Sequence, residues 1–317
     1  MSSTARSSTA VPQFNRTLIY ISLGIAVVFI VAVLVGARII SEQAGDQPVA
    51  MSDLPAPEAD SQECSELISQ LPDELLGHDR AEIAEPAPAG AAAWQSSSLE
   101  RITLRCGIDL PFQYTEYAST HDIDGVEWLR VDDMTPESDM STWYAVDRSP
   151  VVAVTADGRA LDGADNPVED LGGVVGELPE HNHDPHPAPL SELEPAAEDA
   201  SDACRSLGTE LPDILADGWT HATTSQGDTA VWANEGAEPI VVRCGVAPPP
   251  NYQPGEQLTQ IDDIPWFEDE RLVNGSTASY WYALGRETDI AVSVPQSAAS
   301  EALPALGSAI TAATEEQ

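Results

Sequence analysis

Lysine is absent from this chain: all 13 basic residues are arginine, set against 53 acidic ones, for a formal net charge of −40 at pH 7. A polyanion repels nucleic acid phosphates and anionic lipid headgroups, so the basic footprint that nucleic-acid binding requires is missing. The acid excess reads as a solvated surface that keeps an exported protein soluble; adaptation to salt fits it too. No Gly-rich phosphate loop, HExxH helix or paired CxxC occurs. No cofactor is therefore expected. Histidine is scarce, and His78, His121 and His221 lack a counterpart in the internal repeat described below, which removes support for a histidine base or a Ser-His-Asp arrangement.

At 317 residues the chain has room for two domains, each with a core of its own. Near its start, residues 17–37 form a run of 21 residues without a charge. As a helix this run rises roughly 31 Å, the thickness of a hydrocarbon core. Arg6 and Arg16 precede it, while the first carboxylate, Glu42, follows it. This asymmetry predicts a cytoplasmic tail over 1–16, a transmembrane helix over 17–38 and an extracytoplasmic remainder: a single-pass protein of the cell membrane. Cleavage as a signal peptide is the alternative, since Val35-Gly36-Ala37 supplies small residues, but the apolar run exceeds the ~7–15 residues usual there.

The strongest signal is duplication. Cys64 recurs at Cys204 and Leu71-Pro72 at Leu211-Pro212, 140 residues on. With an offset of 138, Trp94 maps to Trp232, Arg105-Cys106-Gly107 to Arg243-Cys244-Gly245, Asp124 to Asp262 and Trp128 to Trp266. The register continues through Trp143-Tyr144-Ala145 and Trp281-Tyr282-Ala283, then Arg148 and Arg286. Six of the seven tryptophans fall in such pairs, as anchors of one core repeated twice would. A sugar-stacking surface is the second reading of these aromatics. The repeats are placed at 61–178 and 201–317. A spacer rich in Ala, Pro and acid precedes them at 39–60, and a His/Pro/acid-rich linker separates them at 179–200.

Short helices are expected over 64–71 and 204–211, each ended by its Leu-Pro step. Alternation of Ile102, Leu104 and Cys106 with Thr103 and Arg105, repeated around Cys244, predicts strands whose arginines face away from the cysteines. Val152–Val154 and Ile290–Val294 give further strands, with a turn signal at Asn274-Gly275. The expected fold class is α+β: after the transmembrane helix, two tandem copies of a small antiparallel sheet with packed helices. Because the four cysteines fall two per copy at matching positions, Cys64–Cys106 and Cys204–Cys244 are the expected disulfides among three connectivities.

The pattern Cys-x-x-Leu-x-x-x-Leu-Pro, then Trp, Leu-Arg-Cys-Gly-Ile at 104–108 or Val-Arg-Cys-Gly-Val at 242–246, an Asp-x-x-x-Trp step and a Tyr-Ala-x-x-Arg strand resembles the actinobacterial domain of unknown function 3515 family. Both copies carry it, although Asp147 stands before Arg148 where Gly285 precedes Arg286. The resemblance implies exported or membrane-anchored envelope proteins and no particular reaction, ligand or cofactor.

Two groups of candidate site residues follow. The recurrent charges Arg105, Asp124, Arg148, Arg243, Asp262 and Arg286 read first as groups satisfied at the edge of a core and second as the lining of a ligand cleft. Equal spacing in both copies predicts ion pairs Asp124–Arg148 and Asp262–Arg286. The second group, His181, His183 and His186, has imidazole spacing that could chelate Zn²⁺ or Cu²⁺, but it lies in a Pro-broken segment and no metal site is expected there. The functional expectation is a membrane-tethered extracytoplasmic interaction module for a cell-envelope ligand or a membrane protein. The alternative is an envelope enzyme acting on a wall precursor through an Arg/Asp-lined cleft.

Overall fold

The computed structural model describes residues 16–45, 47–135, 137–224, 226–269 and 276–317, with side chains omitted for 16–19 and 37–45. The tail before residue 16 and the Asn274-Gly275 turn lie outside the described residues. Each repeat is built on one eight-stranded antiparallel sheet. In the first repeat the strands are β1 (Glu74–Leu75), β2 (His78–Arg80), β3 (Ala91–Ser97), β4 (Glu100–Cys106), β5 (Thr120–Ile123), β6 (Val126–Asp132), β7 (Met140–Ala145) and β8 (Val152–Asp157). Their order is 1-2-3-4-8-7-6-5, two meanders joined where β4 pairs with β8.

The second repeat repeats this topology strand for strand: β9 (Ile214–Ala216), β10 (Trp219–Ala222), β11 (Thr229–Ala233), β12 (Ile240–Val246), β13 (Thr259–Ile261), β14 (Ile264–Asp269), β15 (Ala278–Ala283) and β16 (Asp289–Pro295). The fold-class expectation is corrected accordingly. The sheets are large and dominate each domain, and the helices are short additions to one face. Sequence periodicity marked the central strands, whereas two- to four-residue edge strands such as β1, β2 and β13 are too short to show an alternating pattern.

The N-terminal element, α1 (Arg16–Gly45), is a 30-residue helix. Among the described residues no helix is long and apolar enough to cross a membrane, and the expected transmembrane helix over 17–38 is corrected on that finding.

Helix α2 (Gln62–Gln70) begins where the Ser61 hydroxyl accepts from the Cys64 backbone N–H, 3.2 Å, with Glu63 near its positive end. It ends at Leu71, held extended by Pro72. Helix α4 (Ser201–Glu210) does the same before Pro212. The disulfides Cys64–Cys106 and Cys204–Cys244 tie these helices to the central strands β4 and β12, as the duplicated spacing predicts. The indole N–H groups of Trp94 and Trp232 donate to the carbonyls of Pro72 and Pro212, both at 2.9 Å, so the Leu-Pro step and the tryptophan recur together because they bond. All six paired tryptophans are buried in the cores, not displayed on a surface. A one-turn helix α3 (Gly172–Val175) closes the first core. The 15-residue α5 (Ala299–Ala313) closes the second with Ala302, Leu306 and Ile310.

Neither Pro-rich segment behaves as a free spacer. Val49 is buried and bridges to Ile83, and Glu58 N–H donates to Gly107 O at 3.1 Å. In the segment between the repeats, Glu180 bridges to Arg148, His186 to Thr115 and Pro195 to Val246. Leu190 is buried there with Val241, Phe267 and Tyr282, so this segment covers the outer face of the second sheet. Composition alone hid this, because the few apolar residues that anchor each segment are scattered among prolines and acids.

Candidate functional site

The recurrent arginines of the central strands turn outward, as alternation predicts. Arg105 Nη2 donates to the Ser52 carbonyl at 2.5 Å. Arg243 Nη1 donates to the carbonyls of Leu190 (2.8 Å), Ser191 (3.2 Å) and Leu193 (2.7 Å), and its Nε lies 3.6 Å from Asp228 Oδ2. Ser52 and Leu190 are themselves 138 residues apart, as are Glu58 and Ala196, whose N–H groups donate to the equivalent Gly107 and Gly245 carbonyls. The duplication therefore begins before residue 61, and each of these arginines clamps the strap that precedes its own domain. Burial lowers the pKa of Arg105, with the nearby Asp53 carboxylate opposing the shift.

Among the described residues the expected pairs Asp124–Arg148 and Asp262–Arg286 do not form. Asp124 and Asp262 occupy left-handed turn positions, φ +54° and +50°, a conformation that Asp tolerates better than most residues. Their recurrence follows from the turns between β5 and β6 and between β13 and β14. Arg148, 4% exposed, donates to Asp147 Oδ2 at 2.6 Å, to the Asp147 carbonyl at 3.1 Å and to the Gly125 carbonyl at 2.6 Å. Arg286 has glycine where Arg148 has Asp147. It turns instead to Thr314, with Nε 2.9 Å from Oγ1 and Nη2 on the carbonyl. The Arg286 side chain thus holds the segment that follows the last helix of its domain, whereas Arg148 fixes the β5–β6 turn with its side chain and meets the corresponding segment through its backbone. That segment pairs at Glu180 in one copy and at Glu316 in the other.

The three linker histidines are directed to separate partners. His183 Nε2 meets the Arg148 carbonyl at 2.9 Å, and His181 stacks edgewise on His183. His186 Nε2 lies 3.3 Å from the Leu110 carbonyl, with its ring against Phe112. Among the described residues no group of three or more His, Cys, Asp or Glu side chains is placed to hold a metal ion.

The structure shows instead a cleft of about 400 Å³ at the junction of the repeats. Its walls come from the 112–115 loop of the first repeat, the 186–193 part of the linker and the outer face of the second sheet. Phe112, half exposed, stands at its lip, and Pro187, Ala188, Leu190, Leu193 and Pro239 supply apolar surface. Glu238, 9% exposed, lies in the wall and is saturated from both sides of the junction. It accepts from Gln113 Nε2 (3.1 Å), Ser276 Oγ (2.5 Å), Thr277 N–H (2.8 Å) and Thr277 Oγ1 (3.2 Å).

The Ser293 hydroxyl also lines the cleft, fully buried and without a hydrogen-bond partner among the described residues. Sequence reasoning missed both groups. One signal was present: Glu238 lies 138 residues after Glu100, so it belongs to the repeat pattern. The cleft itself gave none, being assembled from three segments distant in sequence.

Comparison with known proteins adds family and no precedent for function. No curated protein and no solved structure matches the chain. A family model described as "Protein of unknown function (DUF3515)" matches it twice in tandem, over residues 23–183 and 181–317. The second match starts inside the linker, in keeping with a strap that belongs to the domain it covers. The chain is a member of the DUF3515 family, carrying two copies of its domain.

Proposed function

We propose that this protein is a non-catalytic binding module that works outside the cytoplasm at the cell membrane, and that it takes a cell-envelope component or part of a membrane protein into the junction cleft. The cleft carries the reading: about 400 Å³, apolar walls and a few convergent polar groups are the usual features of a ligand pocket. Two disulfides suit an oxidising compartment. The exposed apolar side chains of α1, from Tyr20 to Val35, suit a place beside a membrane. The charge of −40 disfavours nucleic acid.

An envelope enzyme acting through an Arg/Asp-lined cleft is less well supported. Arg105, Arg148, Arg243 and Arg286 bond to backbone carbonyls that fix straps, tails and turns, and Asp124 and Asp262 hold turns. The test is photo-crosslinking in intact cells from a photoreactive residue placed at Phe112, with Leu99, which is exposed and lies outside the cleft lining, as control. Discrete envelope adducts from position 112 and not from 99 are expected. Identical adducts from both, or none from 112, would remove the cleft from consideration.

A further inference from the structure

We infer, building on the reading of the junction as a binding site, that the cleft accepts an uncharged, largely apolar small molecule whose single hydrogen-bonding group meets the Ser293 hydroxyl. The duplication supplies an internal control. Ser293 on β16 pairs with Tyr280 on β15, and the equivalent positions in the first copy are Thr155 and Thr142. There the two hydroxyls bond to each other at 2.9 Å. In the second copy tyrosine replaces the partner threonine, and the remaining hydroxyl sits buried beside an open cleft with no partner among the described residues. Buried hydroxyls are nearly always bonded, so one left unpaired at a cavity wall is a group prepared for something that enters.

The charge of that molecule follows from the rest of the lining. Among the described lining residues there is no arginine, and the carboxylates Glu192 and Glu238 are present, so an anion would enter against both the local and the overall field. Glu238 already accepts from four donors, which leaves it poorly placed to bind a cation directly. Phe112, Leu190 and Leu193 offer apolar surface to the body of the molecule.

A matched pair of fluorescent probes tests the class: N-phenyl-1-naphthylamine, uncharged with one N–H donor, and its 8-sulfonate, the same ring system carrying a negative charge. Titrations use the full chain. The exposed face of α1 will also take up apolar probes, so the cleft's share is the part of the signal removed by Ala188→Phe, which fills the cavity from a lining position. Ser293→Ala removes the hydroxyl with little change in side-chain volume.

The expected result is cleft binding of the uncharged probe, weakened about two- to tenfold by Ser293→Ala, the range of one hydrogen bond. The sulfonate should bind at least about tenfold more weakly. If Ala188→Phe does not give a cooperative melt, the Ser293→Ala comparison alone carries the test. Equal or tighter binding of the sulfonate, or no effect of Ser293→Ala, overturns the ligand class and leaves the cleft standing as a site. No cleft component with either probe also overturns the class, and the crosslinking at Phe112 then decides the site separately.

Discussion

Asp289 opens β16 opposite Val246 with its carboxyl half-buried, and loss of water pushes its pKa above the ordinary carboxylate value. The ionised form is therefore the disfavoured one in the folded protein. Stability contributed at this position is present at low pH and is lost as pH rises from the unfolded value of about 3.9 through the raised folded value. Asp289→Asn should raise the denaturation midpoint at pH 7, and the gain should shrink as pH falls through that window. Paired melts from pH 3 to pH 7 check this; a gain independent of pH would assign the effect to something other than ionisation. Asp124 and Asp262 show how spacing can mislead at this scale. Their equal distance from Arg148 and Arg286 suggested a duplicated ion pair, yet what recurs is a left-handed backbone position, which sequence spacing cannot separate from a side-chain contact.

Among the elements, the straps were the least legible. Alternation and the Leu-Pro step were enough to place β4, β12, α2 and α4, and two cysteines per copy were enough to pair them, because these signals are local or repeated. The straps are held mainly through backbone carbonyls, which every sequence possesses, so nothing in their composition marks them. Arg243 is the exception that can be tested. It is the donor for three carbonyls of the linker, and Arg243→Ala should leave them without that partner, costing about 2–3 kcal/mol and loosening the segment. Limited proteolysis with a glutamate-specific protease should then cut at Glu192 or Glu194 well before the wild type is cut there. Unchanged cutting would mean that Leu190 and its apolar neighbours hold the linker unaided.

At the level of the whole molecule, the two repeats meet through backbone as well as side chains. Asp132 N–H donates to Gly236 O at 2.7 Å, and Arg130 Nη1 lies 3.7 Å from Glu235. Gly236 has φ +73°, and a Cβ there would stand 2.1 Å from Asp132 Oδ2, so any side chain is resisted both by strain and by contact. Gly236→Ala should destabilise the protein by about 1–3 kcal/mol and disturb the junction more than either core. Hydrogen exchange would show this as faster exchange at 130–133 and 234–239 with the two central strands still protected. Uniform acceleration through both sheets would count against a local effect.

The tail of the first copy keeps its contacts as far as His186, and the strap of the second begins them at Leu190, so only three residues lie between the two anchors. A flexible tether of the linker's full length would let the two domains sample many separations, and a ligand touching both would have to bear the entropy of bringing them together. Here that search has been completed by folding. The two copies stand at a set distance like marks on a ruler, and a ligand that bridges them is met by a surface already arranged before it arrives.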